Sequence, residues 1–215
     1  EKHYQIRIII KILGMRNFTI DSNCFLDQNI VAYHNCDYIR YQAPGNPDFI
    51  NGLKNQYNSY SVSKLNCDAA QLMSVLRNDL PEIYQKHGHL NVCVVPRAKA
   101  LCTYNVNQLL FRETIRSFVN ANSGMFSDGV DYIIRHTNTK TTHLWRYDND
   151  GSMPYKGITI NTCTISPDVR GKKILLIDDI YTKSINIDED AIQSLYDNGA
   201  NEVIFKKKKK TIKKF

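Results

Sequence analysis

The stretch between residues 173 and 205 constrains the fold more than any other part of the sequence. It begins with the continuous apolar run ILLI, which leads directly into two adjacent acids, Asp178 and Asp179. Such a run is typical of a strand that is buried on both faces. The segment IDEDAIQSLYDNG follows, with acids in its first turn, one apolar face and a terminal Gly199, which together predict a helix. The run NEVIF then predicts a second strand, so this unit indicates a parallel sheet.

Similar patterns occur earlier in the chain. Apolar runs predict strands at 90–96, 130–135 and 157–161, and helical spacing predicts helices at 68–78, ended by Pro81, and at 107–121. Residues 42–61 are rich in turn signals, and the apolar run at 6–14 is read as a strand. We therefore predict an α/β fold with an open, largely parallel sheet flanked by helices. Residues 1–84 are assigned to a small, irregular accessory region or hood, and residues 85–215 to the α/β domain with a basic C-terminal tail.

The positive charge of the chain is concentrated at its C-terminus. The formal net charge is +7, and residues 205–215 alone carry seven lysines. A basic surface spread over the fold is thus not indicated. A solvated, disordered tail is the favoured interpretation. Attachment of nucleic acid to the lysines between Lys206 and Lys214 remains an alternative, and it would be sensitive to salt.

The cysteine spacing and the N-terminal run bear on the location of the protein. None of the six cysteines forms a C-x-x-C pair, which leaves a zinc ribbon unsupported and favours reduced thiols. Arg7 and Lys11 interrupt the apolar run near the N-terminus, and the run is too short to cross a bilayer. We expect a cytoplasmic protein without a membrane partner, and a homodimer stays open.

Asp178 and Asp179 are the leading candidates for a functional site. Ligands of open α/β sheets gather at the carboxyl ends of the strands, where this acid pair is expected to lie. Paired carboxylates accept hydrogen bonds from a vicinal diol or from water around Mg²⁺. The following loop leads to a helix N-terminus, which is suited to phosphate. The pattern therefore predicts that the acids hold a ribose while the loop holds its phosphate.

The same residues resemble a known family. The segment ILLIDDIYTKSIN is similar to the phosphoribosyl-diphosphate (PRPP) signature of type I phosphoribosyltransferases, in which a hydrophobic strand and two acids precede a Thr-Thr-Gly-x-Thr loop. Upstream, VVPRAK, the pair Asn107 and Gln108, and IIRHTNTKTTH resemble segments of the ComF-like, competence-associated branch, with His143 in place of a glutamine. The resemblance covers about residues 90 to 205.

The resemblance implies a role for each matched position. Asp178 and Asp179 would be the catalytic pair, contacting the ribose hydroxyls of PRPP and, indirectly, Mg²⁺ through bound water or ribose. The implied phosphate-binding residues are Thr182, Lys183, Ser184 and Asn186 in the loop, with Arg97 and Lys99 facing the diphosphate. The implied reaction is phosphoribosyl transfer, in which an acceptor displaces diphosphate from the anomeric carbon. The acceptor is not legible from the sequence.

The loop departs from the family pattern at three positions. Ser184 replaces a glycine that lets the main chain approach phosphate, and Lys183 and Asn186 replace threonines. Three interpretations therefore stay open. The protein is a PRPP-binding transferase, a non-catalytic protein that senses a nucleotide or PRPP in DNA uptake or defence, or a nucleic-acid-binding accessory protein that depends on its lysine tail.

Overall fold

The fold is built on a six-stranded, mostly parallel open sheet. The computed structural model describes residues 15–38, 42, 46–141, 151, 153, 156–179, 185–207 and 209–211. The strands of the sheet, in spatial order, are β1 (Arg16–Ile20), β2 (Ile30–His34), β9 (Glu202–Lys207), β8 (Lys173–Asp178), β4 (Leu90–Val94) and β5 (Phe126–Asp128). Within this sheet β1 and β2 pair in antiparallel fashion, and the other neighbouring pairs are parallel.

Among the described residues, four α-helices cover the two faces of the sheet, and two small sheets lie beside it. The helices are α1 (Phe49–Lys54), α2 (Val62–His87), α3 (Leu110–Ala121) and α4 (Ile187–Asp197). Strand β3 (Cys36–Tyr38) pairs in parallel with β10 (Lys209–Thr211), and β6 (Ile133–Arg135) pairs in antiparallel fashion with β7 (Cys163–Ile165). The predicted α/β class, with an open, largely parallel sheet flanked by helices, is confirmed.

Strand β8 shows why the sheet needs helices on both faces. Successive side chains of a strand point to opposite faces. Ile174 and Leu176 pack in one apolar core with residues of α4, whereas Leu175 and Ile177 pack in a second core with residues of α1, α2 and α3. All four are at most 1% exposed. The continuous apolar run is thus explained by burial on both sides.

One predicted strand is only partly confirmed, and another is wrong. In place of one strand over 130–135, β5 joins the main sheet, a turn at Gly129–Tyr132 follows, with Tyr132 N donating to Gly129 O, and β6 begins only at Ile133. In place of a strand over 157–161, Thr162 N and Cys163 N donate to Thr159 O in a turn. The segment at 130–135 is largely buried, whereas in the segment at 157–161 Ile160 is 89% exposed. Neither turn follows from the local apolar pattern.

The prediction that Pro81 ends the second helix is also wrong. Helix α2 runs from Val62 to His87 with Pro81 inside it. Proline in a helix interior removes one backbone hydrogen bond and costs about 3 kcal/mol. The apolar face of α2 continues past Pro81 to the fully buried Ile83, beyond Leu76 and Leu80, and this burial offsets the cost.

The N-terminal and C-terminal segments also differ from expectation. The turn-rich segment at 42–61 contains helix α1, whose Phe49, Ile50 and Leu53 are buried. The start of the expected disordered tail is ordered, because β9 extends to Lys207, and Lys206 and Lys207 are at most 1% exposed. The strand predicted over 6–14 lies outside the described residues.

Residues on both sides of position 85 share the same cores. Strands β1 and β2 extend the main sheet, and α1 and α2 contribute to the core that also contains Val92 and Ile204. The division at residue 85 stays a prediction. Among the described residues, no helix combines the length and the apolar character that a bilayer crossing requires.

Candidate functional site

The candidate site lies at the carboxyl ends of β4 and β8. The chain passes from β4 to β5 on one side of β4, and later from β8 to β9 on the other side. The order of the strands therefore reverses between β4 and β8, and such a switch point opens a crevice at the carboxyl ends of the two strands. Val95 N donates to Ile177 O (3.0 Å) and joins the two strand ends at the floor of this crevice.

The acid pair lines this crevice. Asp178 is the last residue of β8, Asp179 follows it, and both are half-buried. We call the crevice the acid cleft and define it by six residues that line it: Lys54, Arg97, Lys99, Tyr104, Asp178 and Asp179. Apolar side chains, among them Leu101 and Phe111, form a further wall. The cleft thus places two carboxylates and three cationic side chains around one space.

Lys54 reaches Asp179 from the accessory region. Its Nζ lies 2.9 Å from Asp179 Oδ2, and the two side chains are 30% and 17% exposed. Desolvation lowers the pKa of Lys54, and the nearby Asp178 carboxylate opposes that shift. The ammonium ion is therefore held partly by the acid pair.

Arg97 is committed to contacts within the protein. Its Nη1 donates to Gln108 O (2.9 Å) and its Nη2 to Gln56 Oε1 (3.1 Å), while the guanidinium lies 4.2 Å from the centroid of the Tyr104 ring. Burial lowers the pKa of Arg97. Lys99 is half-buried, and its backbone N–H donates to Tyr104 Oη (3.1 Å). Arg97 and Lys99 thus line the acid cleft, with Tyr104 in contact with both, and their role toward a diphosphate stays a prediction.

The first turn of α4 closes the cleft beside Asp178. Asp188 lies 3% exposed in this turn and hydrogen-bonds to the Asp178 side chain. Burial raises the pKa of Asp188 well above its usual value, and the Asp178 and Glu189 carboxylates add to this effect. Asp188 is therefore held closer to its neutral form than an exposed aspartate would be, which limits charge repulsion with Asp178.

The neighbouring acid Asp190 has a structural role. Its Oδ2 accepts hydrogen bonds from Gly157 N (2.6 Å) and Ile158 N (3.0 Å). These contacts fix the loop that follows residue 156 against α4. All three acids of the first turn are thus buried, and Asp188 and Asp190 are hydrogen-bonded. The sequence indicated only a favourable interaction with the helix dipole.

The loop implied to bind phosphate is described only at its end. Thr182, Lys183 and Ser184 lie outside the described residues, as does His143. Ile185 lines the cleft, and Asn186 is the residue before α4, without a side-chain hydrogen bond to the helix N–H groups. The roles assigned to this loop stay predictions.

The resemblance included Gln108 and the segment that contains Arg135, but the sequence did not predict the contacts by which these two residues brace the cleft. Arg135 is 4% exposed and donates from Nε to Arg97 O (2.8 Å) and from Nη1 to Gly157 O (2.8 Å). Gln108 donates from Nε2 to the backbone oxygens of Asn55 (3.2 Å) and Gln56 (3.4 Å). A buried arginine at the end of an apolar run is a signal for such bracing. Lys54 gave no comparable signal.

No cluster of three or more His, Cys, Asp or Glu side chains suited to a metal ion occurs among the described residues. Mg²⁺ is commonly held by one or two carboxylates together with phosphate oxygens of the substrate, which does not require such a cluster. Asp178 and Asp179 could hold Mg²⁺ in this way, together with phosphate oxygens of a substrate. In comparisons with known proteins, no protein-family model matches the chain, and no curated protein matches it.

Proposed function

We propose that the protein binds a phosphorylated ribose, as PRPP or a nucleotide 5′-phosphate, in the acid cleft. The observation that carries this proposal is the position of Asp178 and Asp179 at the switch point of the sheet, with Lys54 in contact with one of them. Carboxylates suit the ribose hydroxyls, and cations suit the phosphates. Mg²⁺ would enter with the diphosphate of PRPP and neutralise its charge, with Asp178 and Asp179 holding it indirectly.

The resemblance to type I phosphoribosyltransferases extends this proposal to a reaction. A nucleophilic atom of an acceptor would form a bond to the anomeric carbon of PRPP while the bond from that carbon to the diphosphate oxygen breaks. Diphosphate would leave with the electron pair. Fixed charges in the cleft would stabilise the developing charge.

Binding without turnover is the second candidate. Two observations favour it: Ser184 stands where the family has glycine, and both terminal nitrogens of Arg97 already donate to protein oxygens. A sensor of PRPP or of a nucleotide needs the cleft but not the departure of diphosphate. In both cases we propose a cytoplasmic location, which agrees with the five free cysteines among the described side chains.

Thermal unfolding with and without ligand tests the proposal. PRPP with Mg²⁺ at about 100 times its dissociation constant would stabilise the protein by about 2.7 kcal/mol, a shift of roughly 5–10 °C for a chain of this size. The double variant Asp178→Asn, Asp179→Asn should lose this shift. Asp21→Asn, an exposed acid next to β1 at the opposite edge of the sheet, is the matched control and should retain it.

Release of diphosphate in the presence of a panel of nucleobases then separates the two candidates. A transferase releases diphosphate when one of the bases is present, and a sensor does not. A shift that is absent from the wild-type protein, or retained in the double variant, would overturn the proposal.

A further inference from the structure

Lys54 lies directly beside the Asp179 carboxylate in the acid cleft. Its Nζ lies 2.9 Å from Asp179 Oδ2, inside a cleft that Asp178 and Arg97 also line. A divalent cation approaching Asp179 would therefore meet an ammonium ion already in contact with the carboxylate. At such short distances, like charges repel strongly when they are partly removed from water.

The chain segment that follows Lys54 is held in place by several contacts. The backbone that carries the Lys54 side chain is therefore fixed beside the cleft. Asn55 adopts a left-handed backbone conformation (φ 38°) that asparagine tolerates better than most residues, and it is fully buried. Gln108 Nε2 donates to the backbone oxygens of Asn55 and Gln56, and Arg97 donates to the Gln56 side chain. These contacts join the end of α1 to the loop between β4 and α3.

The charges in the cleft favour an anion in the absence of metal. Three cationic side chains, Lys54, Arg97 and Lys99, face two carboxylates, Asp178 and Asp179. Arg97 donates from both terminal nitrogens to protein oxygens, whereas Lys54 Nζ contacts the Asp179 carboxylate directly.

We propose that Lys54 is an internal cation of the acid cleft. It neutralises Asp179 in place of a metal ion, and it binds the phosphate group of a sugar-phosphate ligand when no metal is present. This inference rests on the proposed function, and it identifies Lys54 as the cation that binds the phosphate group of the ligand. Ribose 5-phosphate would bind without metal, and Mg²⁺ would enter only together with the diphosphate of PRPP.

The test combines two titrations of the full chain. In the first, Mn²⁺ alone is titrated and followed by electron paramagnetic resonance. In the second, ribose 5-phosphate is titrated calorimetrically in EDTA. The variants are Lys54→Met, which removes the charge, and Lys54→Arg, which retains it. Lys86→Met is the matched control, because Lys86 forms an exposed pair with Glu82 (2.7 Å) on α2.

The two titrations should respond in opposite directions. Lys54→Met should bind Mn²⁺ at least about tenfold more tightly than the wild-type protein, and it should bind ribose 5-phosphate about 10- to 100-fold more weakly, because a charged hydrogen bond is lost. Lys54→Arg and Lys86→Met should match the wild-type protein in both. A merely structural role for Lys54 would not produce changes of opposite sign.

The outcomes separate the inference from the proposed function. If Lys54→Met binds Mn²⁺ no better than the wild-type protein, the inference is overturned, whatever happens to the sugar phosphate. If Lys54→Met gains Mn²⁺ binding while the wild-type protein binds neither ribose 5-phosphate nor PRPP, Lys54 does replace a metal ion, and the proposed ligand is wrong.

Discussion

Two lysine–aspartate pairs connect the N-terminal helices to the main sheet, and they differ in their access to solvent. Lys54 of α1 meets Asp179 after β8 at 2.9 Å, and the side chains are 30% and 17% exposed. Lys206 of β9 meets Asp79 of α2 at 2.7 Å, and the side chains are 1% and 6% exposed. Asn35 hydrogen-bonds to both members of the second pair.

The comparison shows that the role of a lysine–aspartate pair depends on how deeply the two side chains are buried. A sealed pair cannot exchange its partner for a ligand, and breaking it leaves an uncompensated charge in the core. A pair that lines a cleft keeps both members accessible, and it contributes little to stability. We therefore assign the Lys206–Asp79 pair to the fold and the Lys54–Asp179 pair to the site.

The largest expected effect comes from breaking the sealed pair. Asp79→Asn removes the carboxylate and leaves Lys206 buried without its counterion, so the free energy of unfolding should fall by about 3–5 kcal/mol. Urea denaturation measures this change. Glu82→Gln breaks the exposed pair with Lys86 on the same helix and is the control, with an expected change below about 1 kcal/mol. A loss as small for Asp79→Asn as for the control would remove the distinction between sealed and open pairs.

A substitution at Asp188, where the cleft meets the core, is expected to raise the free energy of unfolding, in contrast to Asp79→Asn. Burial raises the pKa of this carboxyl in the folded state, so the unfolded chain ionises first as the pH rises above about 4. The contribution of Asp188 to stability is therefore full below pH 4 and is lost at higher pH. Asp188→Asn should therefore raise the free energy of unfolding at pH 7 relative to the wild-type protein, and it should have little effect at pH 4.

Urea denaturation of the Asp188→Asn variant at both pH values checks this prediction, with the exposed Asp21→Asn as the control. A variant that is destabilised more at pH 7 than at pH 4 would show that Asp188 acts as a charged partner in the fold, and it would contradict the raised pKa of this carboxyl.

The open pair should be the least sensitive of the three in stability. Lys54→Met should change the free energy of unfolding by less than about 1 kcal/mol, because the pair is partly exposed to water. The same urea titration provides the measurement. A loss comparable to that of Asp79→Asn would place Lys54 in the fold and weaken its assignment to the cleft.

The smallest effect on stability is expected beyond the sealed pair, where the lysine-rich strand ends. Lys206 and Lys207 are buried, so nucleic-acid binding by this segment would depend on the lysines that follow them. Lys209→Gln with Lys210→Gln should leave stability unchanged. If these lysines contact phosphates, the slope of log affinity for DNA against log salt concentration should become shallower by about 0.9 for each lost contact. Fluorescence anisotropy measures this slope. An unchanged salt dependence would exclude these lysines as the site of binding.

The fold can be predicted from the sequence where apolar periodicity dominates. Strand β8, helix α4 and strand β9 follow from the runs around the acid pair, because burial on both faces requires apolar side chains at every position. The segment at 157–161 was misread, since the carboxylate of Asp190, which lies far along the sequence, receives the N–H groups of Gly157 and Ile158. Local patterns do not contain such a partner.

Only part of the candidate site can be predicted from the sequence. Asp178 and Asp179 were found because they end a buried strand. Lys54 was missed, because only the folding of α1 against the sheet brings it to Asp179. For the same reason the lysines of β9 were read as solvated, although the sheet buries Lys206 against Asp79. Charged residues reveal their role through tertiary contacts, and those contacts lie far apart in the sequence.

The most direct test of the central claim is the phosphorus nuclear magnetic resonance spectrum of PRPP with Mg²⁺ as protein is added. We predict that the resonances of both the 5′-phosphate and the diphosphate broaden with the wild-type protein. In the Asp178→Asn, Asp179→Asn variant they should stay sharp, and with Asp21→Asn they should broaden as in the wild type. Resonances that stay sharp with the wild-type protein, or that broaden equally with the double variant, would contradict a sugar-phosphate site at the acid pair.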